Sequence, residues 1–126
     1  MSEENAAKPV PEAPATAQDA RIGIEDFARV QMRVGQVLEA EKVPGSRKLI
    51  RMKVDIGAEI RQVVAGIAEA YDPAALLNKK VVIVANLKPA RIMGIESNGM
   101  VVAASDGVTP VLVTFTENVS NGALLR

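Results

Sequence analysis

"VQMRVGQVL", Val30 to Leu38, decides the fold. Val30, Met32 and Val34 alternate with Gln31 and Arg33, the period-two pattern of a strand with one buried face. The phase breaks at Gly35, and the next apolar residues, Val37 and Leu38, fall on shifted positions. A strand whose face changes at a glycine is bent or bulged. Strongly bent strands are what a small sheet needs to close on itself.

Outward from that strand the chain repeats short β-like runs. "IEDFARV" before it reads as one helical turn leading in, with Glu25 and Asp26 suited to a helix start. "LIRMKVDIG" places Ile50, Met52, Val54 and Ile56 on one face and Arg51, Lys53 and Asp55 on the other, and Gly57 ends it. "IRQVVAGI" is a third strand. "AEAYDPAALLNK" has helical composition, with Asp72 as N-cap and Pro73 at the first helical position. "KVVIVA" is apolar on both faces and therefore central or covered on both sides. "MVVAAS" and "PVLVTF" are further strands. Three strands, a short helix and then more strands, with a glycine bend in the first, is the order of the all-β, five-stranded OB barrel. Another small barrel or an open α+β sheet remains compatible with the pattern alone.

Residues 1–21, "MSEENAAKPVPEAPATAQDAR", carry Pro9, Pro11 and Pro14 among Ala, Glu and Thr without apolar periodicity. The expectation is a disordered linker or tail there and one domain over 22–126. A total of 126 residues, 48% hydrophobic, suits that single domain. The formal net charge of zero hides an asymmetry. Residues 1–20 hold Lys8 against Glu3, Glu4, Glu12 and Asp19, a net −3, so the rest carries +3. No apolar run approaches the roughly 20 residues that span a bilayer, and "MSEEN" lacks the form of a signal peptide. A cytoplasmic protein without membrane contact is expected.

Cysteine and histidine are both absent. Thiolate chemistry, the commonest general base and the commonest transition-metal ligand are therefore missing together. Asp55 and Glu59 form no acid/base dyad beyond a solvated turn pair, and no glycine spacing makes a phosphate loop. No catalytic residue, metal or cofactor is expected. Basic residues are better organised. Lys42, Arg47, Lys48, Arg51, Lys53 and Arg61 fall within twenty positions whose only acids are Asp55 and Glu59, a net +4. Strand alternation turns Arg51 and Lys53 outward, and the loop "KVPGSRK" adds Lys42, Arg47 and Lys48, an arrangement that could follow a phosphate backbone. A solvated barrel face is the plainer reading of the same charges. The only aromatics are Phe27, Tyr71 and Phe115, and the first and last look like core residues. A barrel that grips single strands uses aromatic stacking platforms, so this one, if it binds nucleic acid, should read the backbone and shape of folded RNA.

The ordered motifs "VDIG" (54–57), "RQVVAGI" (61–67), "NLKP" (86–89) and "SNGM" (97–100) together resemble one family. It is the tRNA-binding domain shared by the C-terminal appendage of bacterial methionyl-tRNA synthetases, stand-alone dimeric tRNA-binding proteins and some synthetase-associated factors. The resemblance runs from about Ile24 to the C-terminus. It implies an OB barrel that binds the outer corner of tRNA without reading sequence, often as a homodimer assembled through segments flanking the barrel. On matching positions it implies RNA contacts by Lys48, Arg61, Asn86, Lys88, Arg91, Ser97 and Met100; charge placement adds Lys42, Arg51 and Lys53. Two departures stand out: Val43 and Arg47 replace a histidine and an acid frequent in the family, and Asn98 replaces a glutamine. A related branch comprises dimeric export chaperones, but "NLKP" and "SNGM" argue for the tRNA-binding branch. The proline-rich leader favours an appendage of a methionyl-tRNA synthetase over a stand-alone protein, with aminoacylation left to a domain outside this chain.

Overall fold

A computed structural model describes residues 20–126; residues 1–19, which hold nearly all of the expected linker, lie outside the described residues. A short helix α1 (Ile24–Ala28) leads into the long strand β1 (Met32–Lys42). β2 (Ile50–Asp55), β3 (Ile60–Ala65), the single-turn helix α2 (Pro73–Leu76) and β4 (Lys80–Val84) follow. A hairpin of β5 (Ala90–Ile92) and β6 (Ile95–Ser97) precedes β7 (Met100–Val101). A second hairpin, β8 (Ala103–Asp106) and β9 (Thr109–Leu112), and a terminal β10 (Leu124–Leu125) complete the chain.

The main sheet runs β3-β2-β1-β4-β7, with β10 added to β1. β1 changes partner along its length. Its first half pairs antiparallel with β4, from Met32↔Val84 to Gln36↔Lys80, and its second half with β2, from Gln36↔Asp55 to Lys42↔Ile50. One strand serving both halves curls the sheet into a nearly closed five-stranded OB-type barrel. The bulge lies between Val37 and Glu39, so the phase break is real but falls just beyond the glycine. Gly35 serves a different purpose, since a Cβ there would sit 2.5 Å from Val54 Cγ1 and 3.0 Å from Ile83 Cγ1. The concave side of the bend has no room for a side chain.

The core follows the strand alternation. Ile50, Met52, Val54 and Ile56 point inward with Val37, Val63, Ala65, Val81 and Ile83, and Leu76 of α2, a helix that packs against β1, joins the same core. Val81 to Val84 are all buried, as a strand apolar on both faces requires. Several sequence expectations need correction. Asp72 sits at the N-cap position, but its side chain makes no cap bond; its carbonyl accepts from Ala75 N–H at 2.9 Å. The run "MVVAAS" is split between β7 and β8 at Val102, and "PVLVTF" forms a strand only to Leu112. Phe27 and Phe115 are half-buried and outside the core, while Tyr71 packs against it and its hydroxyl accepts from Leu112 N–H at 3.0 Å.

Candidate nucleic-acid interface

The stretch from Asn86 to Met100 is more than a turn between β4 and β7. It leaves the barrel as the β5–β6 hairpin, lies along the outer edge of β3 and returns. β3 has β2 on one side only, so its other edge needs partners. Ser97 supplies one: its hydroxyl accepts from Val64 N–H at 3.0 Å and donates to the Gly99 carbonyl at 3.1 Å. Asn98 N–H donates to the Gln62 carbonyl at 2.7 Å, and Gln62 Nε2 donates to the Glu96 carbonyl at 2.8 Å. These bonds seal the barrel where no regular ladder forms.

The residues singled out from sequence divide accordingly. Ser97 is 5% exposed, and both its donor and one acceptor position are used in the seam. Arg61 bridges three segments, pairing with Glu59 and donating to the carbonyls of Ala85 at 3.0 Å and Asn98 at 3.2 Å. Asn86 is a two-sided tie: its Oδ1 accepts from Gln31 N–H at 2.8 Å, and its Nδ2 donates to the Arg29 carbonyl at 2.6 Å. It thereby fastens the segment between α1 and β1 to the end of β4.

Arg51 and Lys53 do face outward, but they meet acids across the strand. Arg51 stands opposite Glu41 and donates to it through Nε at 2.8 Å, and it reaches Gln62 Oε1 at 3.0 Å. Lys53 stands opposite Glu39. The +4 segment is therefore offset on the same face by two carboxylates that precede it in the chain. Of the predicted residues, Lys42 and Lys48 around the β1–β2 loop, Asn86 and Lys88 at the hairpin root, Arg91 on β5 and Met100 on β7 are exposed. The loop is well fixed: Ser46 Oγ accepts from the N–H groups of Lys48 and Leu49, both at 3.2 Å, and the Lys48 carbonyl accepts from Ala68 N–H at 2.9 Å. The hairpin tip reaches this loop, for a Cβ on Gly45 would lie 3.8 Å from Met93 Cε. Hairpin tip and loop thus meet in one lip that carries Lys42, Lys48, Lys88 and Arg91, with Glu96 as the cross-strand neighbour of Arg91.

At the hairpin root a polar cleft of about 750 Å³ is lined by Gln31, Arg33, Glu59, Arg61, Asn86 and Asn121, among others. Arg33, which sequence reasoning passed over as an outward strand residue, donates there to the Gly122 carbonyl at 2.8 Å. Among the described residues no group of acids could hold a metal ion, and no helix is long and apolar enough to cross a membrane.

Comparison with known proteins places this geometry. The family described as "Putative tRNA binding domain" matches residues 32–124. Methionine–tRNA ligase of Thermotoga maritima is 54% identical over 108 residues, 86% of this chain, yet the chain spans only 17% of that enzyme's length. Among solved structures, the MetRS-related protein of Pyrococcus horikoshii superposes with a TM-score of 0.80 at 38% identity, covering 84% of this chain and 98% of that one. The chaperone CsaA of Bacillus anthracis superposes at 0.77 with 29% identity, covering 84% and 99%. The matched unit is a binding domain and not a catalytic one. A match over most of the chain, on a barrel closed by its own "SNGM" segment, establishes that this chain belongs to the tRNA-binding domain family.

Proposed function

We propose that this chain binds folded tRNA without reading its sequence, as a non-catalytic module joined to a methionine–tRNA ligase. The observation that carries this reading is the basic lip: Lys42, Lys48, Lys88 and Arg91 stand exposed along the hydrogen-bonded β1–β2 loop and the β5–β6 hairpin, and no aromatic platform accompanies them. Cations on a fixed frame suit phosphates at fixed spacing, as in a folded RNA, whereas a flexible single strand would need stacking to offset its ordering. Arg51, Lys53 and Arg61, already paired or bridging within the protein, contribute to the field more than to direct contacts. The family match and the ligase relatives support tRNA and the covalent link.

Two other readings have an observation each. A stand-alone tRNA-binding protein is favoured by the Pyrococcus horikoshii structure, nearly all of which this chain covers. A peptide-binding chaperone is favoured by the likeness to CsaA. A homodimer belongs to the proposal as well, since Ile24, Val30 and Leu124 expose apolar surface around a groove of about 390 Å³ lined also by Phe27 and Leu125.

Lys88→Ala tests the tRNA reading at its centre. The expected result is weaker binding to all tRNA species alike and a salt slope, log K against log salt, flatter by about one unit. An unchanged slope would return Lys88 to solvent.

A further inference from the structure

Met93 is the residue of the lip that its own turn does least to explain. It occupies the first central position of the two-residue turn between Ile92 and Ile95, with φ 51° followed by Gly94 at φ 79°. A turn with positive φ at both positions is the type that favours Asn-Gly, because an ordinary side chain is strained there. The methionine gains no burial in return, being 58% exposed. Its thioether end leans toward Gly45 of the β1–β2 loop, whose neighbours Arg47 and Lys48 are exposed. On the other side Arg91 donates to the Gly94 carbonyl at 2.6 Å and fixes the tip. A strained, exposed and flexible apolar side chain is thus fixed at its root by the turn, next to the bond that Arg91 makes and near the loop that carries Arg47 and Lys48.

We propose that Met93 is a contact residue for RNA, laying its thioether side chain against the face of an unstacked nucleobase while Lys48 and Arg91 take the adjoining phosphates. The cations of the adjoining loop favour a polyanion over an apolar protein partner even with Glu96 opposite Arg91, and a base face is a surface on which an apolar side chain meets nucleic acid. Methionine suits that role because its unbranched, polarisable chain adapts to an aromatic surface. Folded RNA offers such bases at its loops, where they are out of the stack. The inference rests on the tRNA reading and adds to it a contact that is neither electrostatic nor hydrogen-bonded.

The test compares wild type, Met93→Asn and Met93→Leu by thermal melting and by titration with unfractionated tRNA at two salt concentrations. Met93→Asn should melt a few degrees higher, since asparagine suits the turn, and should bind tRNA about two- to tenfold more weakly. Its salt slope should be unchanged, because no phosphate contact is lost. Met93→Leu should recover most of the lost affinity. If wild type binds tRNA and Met93→Asn binds equally well, the Met93 contact is overturned and the tRNA reading stands. Weaker binding with a flatter slope, or a lower melting temperature for Met93→Asn, also overturns it. If wild type does not bind tRNA, the reading beneath it fails first.

Discussion

Ser97 shows how one hydroxyl can carry an element of structure. Val64 N–H is buried on the open edge of β3, and the Ser97 oxygen is its partner. Ser97→Ala would leave that donor unsatisfied and free the Gly99 carbonyl, a loss of about 1–3 kcal/mol for an orphaned buried group. The expected outcome is a melting temperature lower by several degrees in a thermal scan; a melt within about one degree of wild type would remove the hydroxyl from the seam. Asn86 and Arg61 belong to the same class, since their polar groups are engaged inside the chain. The family resemblance implied RNA contacts by all three, and an amide, a guanidinium and a hydroxyl suit phosphates and backbone carbonyls equally. The structure adds their partners inside the chain, which are mostly distant in sequence. Lys88 and Arg91 are exposed, although Arg91 also donates to the Gly94 carbonyl.

Among the elements, those legible in the sequence were those whose period is unbroken over five or six residues. β2 alternates buried and half-buried without a fault, and β4 is buried almost throughout. The bend of β1 was visible as a phase break, though its cause is divided: Gly35 makes room against Val54 and Ile83, and the extra residue enters at the later bulge. The β5–β6 hairpin escaped because each strand has three residues and its turn carries Met-Gly in place of Asn-Gly. The Asn98-Gly99 pair, which does signal a turn, instead joins the hairpin to β7. Charge counting along the chain failed for a related reason. Glu39 and Glu41 precede the basic segment in sequence but stand beside Lys53 and Arg51 in the sheet. Cross-strand neighbours, separated here by ten or more residues, determine what an exposed strand face offers.

For the whole molecule the remaining question is what meets each of its unfinished surfaces. Ile24 is 75% exposed on α1, and Leu124 borders the same groove. An apolar patch formed by both segments flanking a barrel is suited to a second copy. Ile24→Asp should shift sedimentation toward the monomer at concentrations where wild type is dimeric; a monomeric wild type would end the dimer proposal. The basic lip lies elsewhere, on the β1–β2 loop and the β5–β6 hairpin, so its ligand can be tested by itself. The most direct measurement is a parallel titration of the intact chain with unfractionated tRNA, a single-stranded oligonucleotide and an unfolded polypeptide, each at two salt concentrations. Different tRNA species should bind with similar affinity that falls steeply with salt, and the other two ligands should bind weakly. Preference for the unfolded polypeptide, or tRNA binding indifferent to salt, would contradict a tRNA-binding basic lip.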